Sequence, residues 1–79
     1  AAGALFALKE RNFRIPQDIS IVGADNTRIS SHTEPKIATM DNRNTMLGRT
    51  AMNELLKLMS GEKPHPVFLS SQIIKNDSI

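Results

Sequence analysis

Cysteine is absent from this chain, and so are tryptophan and tyrosine. Without thiols there is no disulfide framework and no thiolate metal site. Three phenylalanines are the only aromatic residues, so few large side chains are available to anchor a core. No apolar run approaches the roughly 20 residues that a membrane-spanning helix needs. Neither sign of charge dominates. Ten basic against eight acidic residues leave a net +2, too little and too dispersed for a nucleic-acid surface. The glycines, Gly3, Gly23, Gly48 and Gly61, are scattered singly, which excludes a glycine-rich phosphate loop. What is present is 79 residues, 39% of them apolar. That suffices for one thin core burying about 60% of the unfolded surface. A small soluble α/β unit is the expectation.

The chain opens Ala1-Ala2-Gly3-Ala4-Leu5-Phe6-Ala7-Leu8. Its alanines and the apolar spacing at Ala1, Ala4, Leu5 and Leu8 predict a helix. That helix has no initiator Met and no obvious N-cap before it, as in a helix already under way, and a longer protein is expected. The helix should end near Arg11, with Asn12 as the left-handed residue after its last turn. Ile15-Pro16 then pushes the backbone to extended geometry. The β-branched run Ile19-Ser20-Ile21-Val22 before Gly23 reads as a strand covered on both faces. Residues 25–36 read as loop with one helical turn. Ile37–Met40 is a second strand, and residues 43–60 are a second helix with an apolar stripe of Leu47, Ala51, Leu55 and Leu58, widened by Met52, Leu56 and Met59. Asp41, Asn42 or Asn44 could cap its start, and Gly61 should end it. Val67–Leu69 and Gln72–Ile74 form a last extended segment with a bulge at Ser70-Ser71. This alternation predicts an α/β layered fold whose sheet edges stand open.

Catalytic chemistry finds little to work with. His32 and His65 lie far apart, and His32 with Glu34 is too thin a cluster to hold a metal. Ser30-Ser31-His32 places hydroxyls beside an imidazole, but neighbours in a loop seldom form a working pair. The chain is therefore not expected to be an enzyme, and no cofactor or metal is expected. One position stands out. Asp25 follows Gly23-Ala24 at the carboxyl end of the first strand, where open α/β sheets bind ligands. A carboxylate there can accept hydrogen bonds from sugar hydroxyls or base N–H groups. The competing reading is an Asx-turn, in which Asp25 bonds its own backbone two residues on. On local sequence alone the turn is the better reading.

The run Ile15-Pro16-Gln17-Asp18-Ile19-Ser20-Ile21-Val22-Gly23-Ala24-Asp25-Asn26 resembles the "iP-x-DisvvG-[FY]-D-[DN]" signature of LacI/GalR-family bacterial transcriptional repressors. Pro35 with Ile37-Ala38-Thr39-Met40 resembles that family's "P-x-LTTI". Leu47-Gly48-Arg49-Thr50-Ala51 matches "LG-x-x-A", and Ile73–Ser78 is similar to the closing "LV-x-R-D-S-T". The likeness spans essentially the whole chain.

The resemblance implies an α/β fragment of a two-lobed, periplasmic-binding-protein-like (type I) fold with mainly parallel sheets. Residues 1–79 would be the C-terminal part of one effector-binding domain. Within it, 1–35 and 66–79 would belong to the C-terminal lobe, and 37–60 would supply a crossover strand and helix to the N-terminal lobe. The implied function is sensing of a small-molecule effector, a sugar, in a cytoplasmic homodimer. Operator DNA would be met only through an N-terminal helix-turn-helix absent from this chain, and no membrane would be involved. A periplasmic sugar-binding protein for transport shares the architecture and is the alternative. By the same resemblance Asp25 becomes a ligand contact, with Asn42 and Asn44 as weaker ligand candidates against helix capping. Thr27, Arg28, Ile29, Ser31 and His32 fall in a segment that contributes to the family's subunit interface. Ala24 stands where the family has an aromatic residue, and Asn76 where it has Arg.

Overall fold

A computed structural model describes all 79 residues. Helix α1 runs Ala2–Glu10, strand β1 Val22–Ala24, helix α2 Arg28–Ser31, strand β2 Ala38–Asp41, helix α3 Asn44–Met59 and strand β3 Gln72–Ile74. The strands form one sheet in the order β1-β2-β3. β1 and β2 are parallel, with Val22 opposite Ala38 and Ala24 opposite Met40. β2 and β3 are antiparallel, with Thr39 opposite Ile74 and Asp41 opposite Gln72. The α/β class and the element order follow the expectation, with the single helical turn realised as α2.

Both long helices stop as their sequences require. After α1, Asn12 adopts φ 62, donates its N–H to the Lys9 carbonyl, and leaves Phe13 N–H to reach the Leu8 carbonyl. After α3, Gly61 at φ 88 does the same, its N–H on the Leu58 carbonyl and Glu62 N–H on the Lys57 carbonyl. This pair of bonds satisfies carbonyls that a helix end otherwise leaves bare, and it needs a left-handed residue.

The core is Leu5, Ile15, Ile21 and Ile37, with Ala2 and Leu8 packed against it. Each such side chain contributes about 1.5–3 kcal/mol when fully buried. α1 therefore packs through one face, on Ile15 and on Ile21 and Ile37, the residues just before β1 and β2. Buried Thr39 and Ser78 complete the interior. Ser78 Oγ accepts from Ala38 N–H at 2.7 Å and donates to the Ile21 carbonyl at 2.5 Å. The end of the chain is thereby fastened between β1 and β2.

Four expectations need correction. The first strand pairs over only three residues, because β1 has no neighbour before Ala38: Ile21 N–H goes instead to the Ser78 carbonyl. Nor is it covered on both faces, since Val22 is 52% exposed. Val67–Leu69 does not join the sheet; only Gln72–Ile74 finds a partner. β2 sits at the centre of the sheet, between β1 and β3. Finally, no side chain caps α3. Its N-cap position is Arg43, in left-handed geometry. The apolar stripe of α3 buries nothing, and the molecule is correspondingly drawn out to 58 × 16 × 15 Å.

Candidate functional site

β1 and β2 run parallel, so their carboxyl ends open on the same side of the sheet. Past β1 the chain turns through Asp25 at φ 70 and Asn26 at φ 43, a region that Asp and Asn tolerate better than most residues. Two bonds fix this turn to β2. Asp25 N–H donates to the Met40 carbonyl at 2.8 Å, and Asn26 N–H donates to Thr39 Oγ1 at 3.0 Å. Thr39 is fully buried, so the turn rests on an immobile base.

The Asx-turn at Asp25 does not form. Asp25 Oδ1 accepts instead from Asn42 Nδ2 at 2.7 Å, and Asn42 Oδ1 accepts from Ser71 Oγ at 2.6 Å. Three distant segments are thus linked through one carboxamide. The Asx-type bond appears one strand over, where Asp41 Oδ1 accepts from Arg43 N–H at 2.8 Å. It steadies Arg43 at φ 54, the corner from which α3 departs.

Around this corner lies a cavity of about 560 Å³. The β1 turn contributes Asp25 and Asn26, the strand–helix corner Asp41 and Arg43, and the start of α3 Asn44, Thr45, Met46 and Arg49. Met46 is its one hydrophobic residue, whereas most ligand pockets are lined mainly by apolar groups. Such a lining suits a guest rich in hydroxyl or charged groups. Of the three expected ligand residues, Asp25 and Asn44 line the cavity, and Asn42 bears on it only by holding Asp25. Neither Asn42 nor Asn44 caps the helix.

Arg43 and Arg49 were not legible as site residues. The available signal is the i, i+4 spacing of Thr45 and Arg49, which puts both on one helix face. No group of three or more His, Asp or Glu gathers anywhere to hold a metal. The ion pairs lie away from the cavity. Arg14 binds Asp18, and its side-chain hydrogen bonds hold that carboxyl below its ordinary range. Lys57 binds Glu54, which raises the lysine.

The expected interface residues cluster on and around α2. Arg28, Ile29, Ser31 and His32 are exposed, Ile29 at 63%. Ser31 Oγ donates to the Arg28 carbonyl at 2.8 Å, and His32 Nδ1 lies 2.7 Å from the same oxygen. Ser31 Oγ also lies 3.3 Å from His32 Nδ1, and both groups are drawn onto the Arg28 carbonyl, where they serve the local turn. Thr27 and Ile29 also border a second cavity of about 340 Å³, against the start of α1.

Residues 1–79 match the model of the periplasmic binding protein-like domain family. The HTH-type transcriptional repressor PurR of Escherichia fergusonii is 36% identical over 81 residues, covering 100% of this chain and 24% of that protein. The PurR repressor of Escherichia coli O1:K1 is 35% identical over the same span. Among solved structures, the Lac repressor bound to ONPG in its repressed state superposes with a TM-score of 0.89 at 32% identity. It covers 98% of this chain and 24% of that one. A LacI family regulator from Arthrobacter sp. FB24 in complex with lactose gives 0.88 at 29% identity, over 99% of this chain and 30% of that one. The chain spans about a quarter of the length of the curated relatives it matches. With a family match along its whole length, a sheet of the same fold and a polar cavity at the strand ends, the chain belongs to the periplasmic binding protein-like domain family, in the LacI/GalR branch of effector-binding domains.

Proposed function

We propose that residues 1–79 are the C-terminal part of the effector-binding domain of a LacI-type transcriptional regulator that senses a small polar effector, a sugar, in an interlobe cleft. The observation that carries this reading is Asp25 on the wall of the 560 Å³ cavity, braced by Asn42. One oxygen of the carboxylate takes the carboxamide N–H, and the other is left for hydroxyl groups of the guest. Charge-assisted bonds of this kind are the strong ones. The sheet with residues 1–35 and 66–79 forms one lobe, and α3 passes to the other.

The mechanism is a population shift. Effector bound between the lobes favours one lobe arrangement, by as much as its affinity for the two arrangements differs. Thr27, Arg28, Ile29, Ser31 and His32 form a patch that meets its own copy in a symmetric dimer. The dimer carries the movement to DNA-binding heads that lie outside residues 1–79. No bond is made or broken. Relatives named as repressors support a regulator over a transport receptor.

The test is calorimetric titration of candidate sugars into the full-length protein and its Asp25→Asn variant. Loss of a charged acceptor removes about 1.5–3 kcal/mol, so affinity should fall by at least about tenfold. Equal affinity in the two proteins removes Asp25 from the site.

A further inference from the structure

The charges around the cavity are unequally engaged. Both carboxylates already have donors from this chain: Asn42 Nδ2 on Asp25 and Arg43 N–H on Asp41. Neither guanidinium has an acceptor. Arg43 and Arg49 line the cavity, yet the chain's ion pairs are Arg14–Asp18 and Lys57–Glu54, and no hydrogen bond is made by either arginine side chain. Arginine presents a planar fork of five N–H donors that matches carboxylate and phosphate oxygens. Two such forks facing one polar cavity, with the nearby acids partly neutralised by their donors, leave an unmet demand for anionic oxygen. The first turn of α3 adds to it. It has no side-chain cap and no acidic residue of its own, and Asn44, Thr45 and Met46 line the same cavity, so the positive end of the helix offsets part of the charge of Asp41 beside it.

We infer that the effector carries an acidic group, a carboxylate or a phosphate ester, which Arg43 and Arg49 bind while Asp25 takes hydroxyl groups at the other side of the cavity. This rests on the effector-sensing reading above and names the class of molecule for that same site. A neutral sugar would satisfy Asp25 but leave both guanidiniums without a partner. A molecule that is both polyol and acid satisfies all three.

The experiment titrates matched probes into the full-length protein: glucose, glucose 6-phosphate, glucuronate, galactose, galactose 6-phosphate and galacturonate. Wild type is compared with Arg43→Gln, Arg49→Gln and Asp25→Asn, each checked for folding by its thermal melt. Arg43→Lys and Arg49→Lys serve should a glutamine variant melt early, since they keep the charge and lose the fork. At least one acid-bearing probe should bind tenfold or more tightly than its neutral parent. Its affinity should fall at least tenfold in an arginine variant and weaken as salt is raised. Preference for a uronate over a 6-phosphate, or the reverse, identifies the acidic group. Neutral probes binding as well as acidic ones, with the arginine variants unchanged but Asp25→Asn weakened, overturn the inference and leave the effector site standing. Binding by no probe in any protein overturns both.

Discussion

Replacing Ser78 with alanine isolates how the sheet is held. Ser78 is 0% exposed, and its hydroxyl serves two main-chain groups at once, taking the Ala38 N–H and giving its own proton to the Ile21 carbonyl. Its backbone is equally committed, with its N–H on the Lys36 carbonyl and its carbonyl taking Ile21 N–H. Ser78→Ala leaves those backbone bonds in place but strips partners from one buried donor and one buried acceptor. A buried polar group left unpaired costs about 1–3 kcal/mol. Because the two groups share one site and relax together, the expected loss is about 2–4 kcal/mol in all. Urea unfolding of the full-length protein should show an earlier midpoint with an unchanged slope, since the surface exposed on unfolding is the same. Asp77→Ala, a change at an exposed neighbour, should stay within about 0.5 kcal/mol of wild type. A Ser78→Ala protein that unfolds at the wild-type midpoint would refute the reasoning, for Ala38 N–H and the Ile21 carbonyl would then have to be satisfied elsewhere.

Other substitutions probe local features. Asn12 sits at φ 62, so Asn12→Ala should cost about 1 kcal/mol through the left-handed penalty, while Asn12→Gly should be neutral or stabilising in the same melts. Asp18 has its carboxyl lowered from 3.8, chiefly by the Arg14 side chain and then by the Arg14 N–H. Its contribution to stability is therefore present above the ordinary carboxylate pKa and is lost as pH falls through the lowered value. Titration of the Asp18 carboxyl by NMR should show it returning toward 3.8 in Arg14→Ala.

Much of the fold was written in local chemistry. Asn12 and Gly61 each ended a helix because few other residues relax into left-handed geometry, and such signals need no distant partner. Strand length was not legible in the same way. Ile19–Val22 has the composition of a longer strand, but a ladder extends only where a second strand lies alongside, and the neighbour of Ile21 is Ser78. The role of Ser78 was invisible for that reason: its partners lie 40 and 57 residues away. At the site, local sequence favoured an Asx-turn at Asp25, and only the resemblance made it a ligand candidate; its carboxylate bonds Asn42, 17 residues away, which no local pattern announces. Arg43 escaped because a charged residue between a strand and a helix signals nothing by type. Only the bond from its N–H to Asp41 shows why it occupies the corner. The exposed face of α3 has the periodicity of a buried one, and periodicity records which side is apolar without saying what covers it.

The central strand is laced along both edges, so it cannot slip lengthwise without unzipping two ladders together. A swing of α3 against the sheet therefore falls on the few torsions at Asn42 and Arg43, the stretch whose side chains and N–H groups already reach Asp25, Asp41 and Ser71. That junction is the direct link between the central strand and the 16-residue helix, and Asp41 and Arg43 within it line the cavity, so strand, helix and cavity wall meet at one corner.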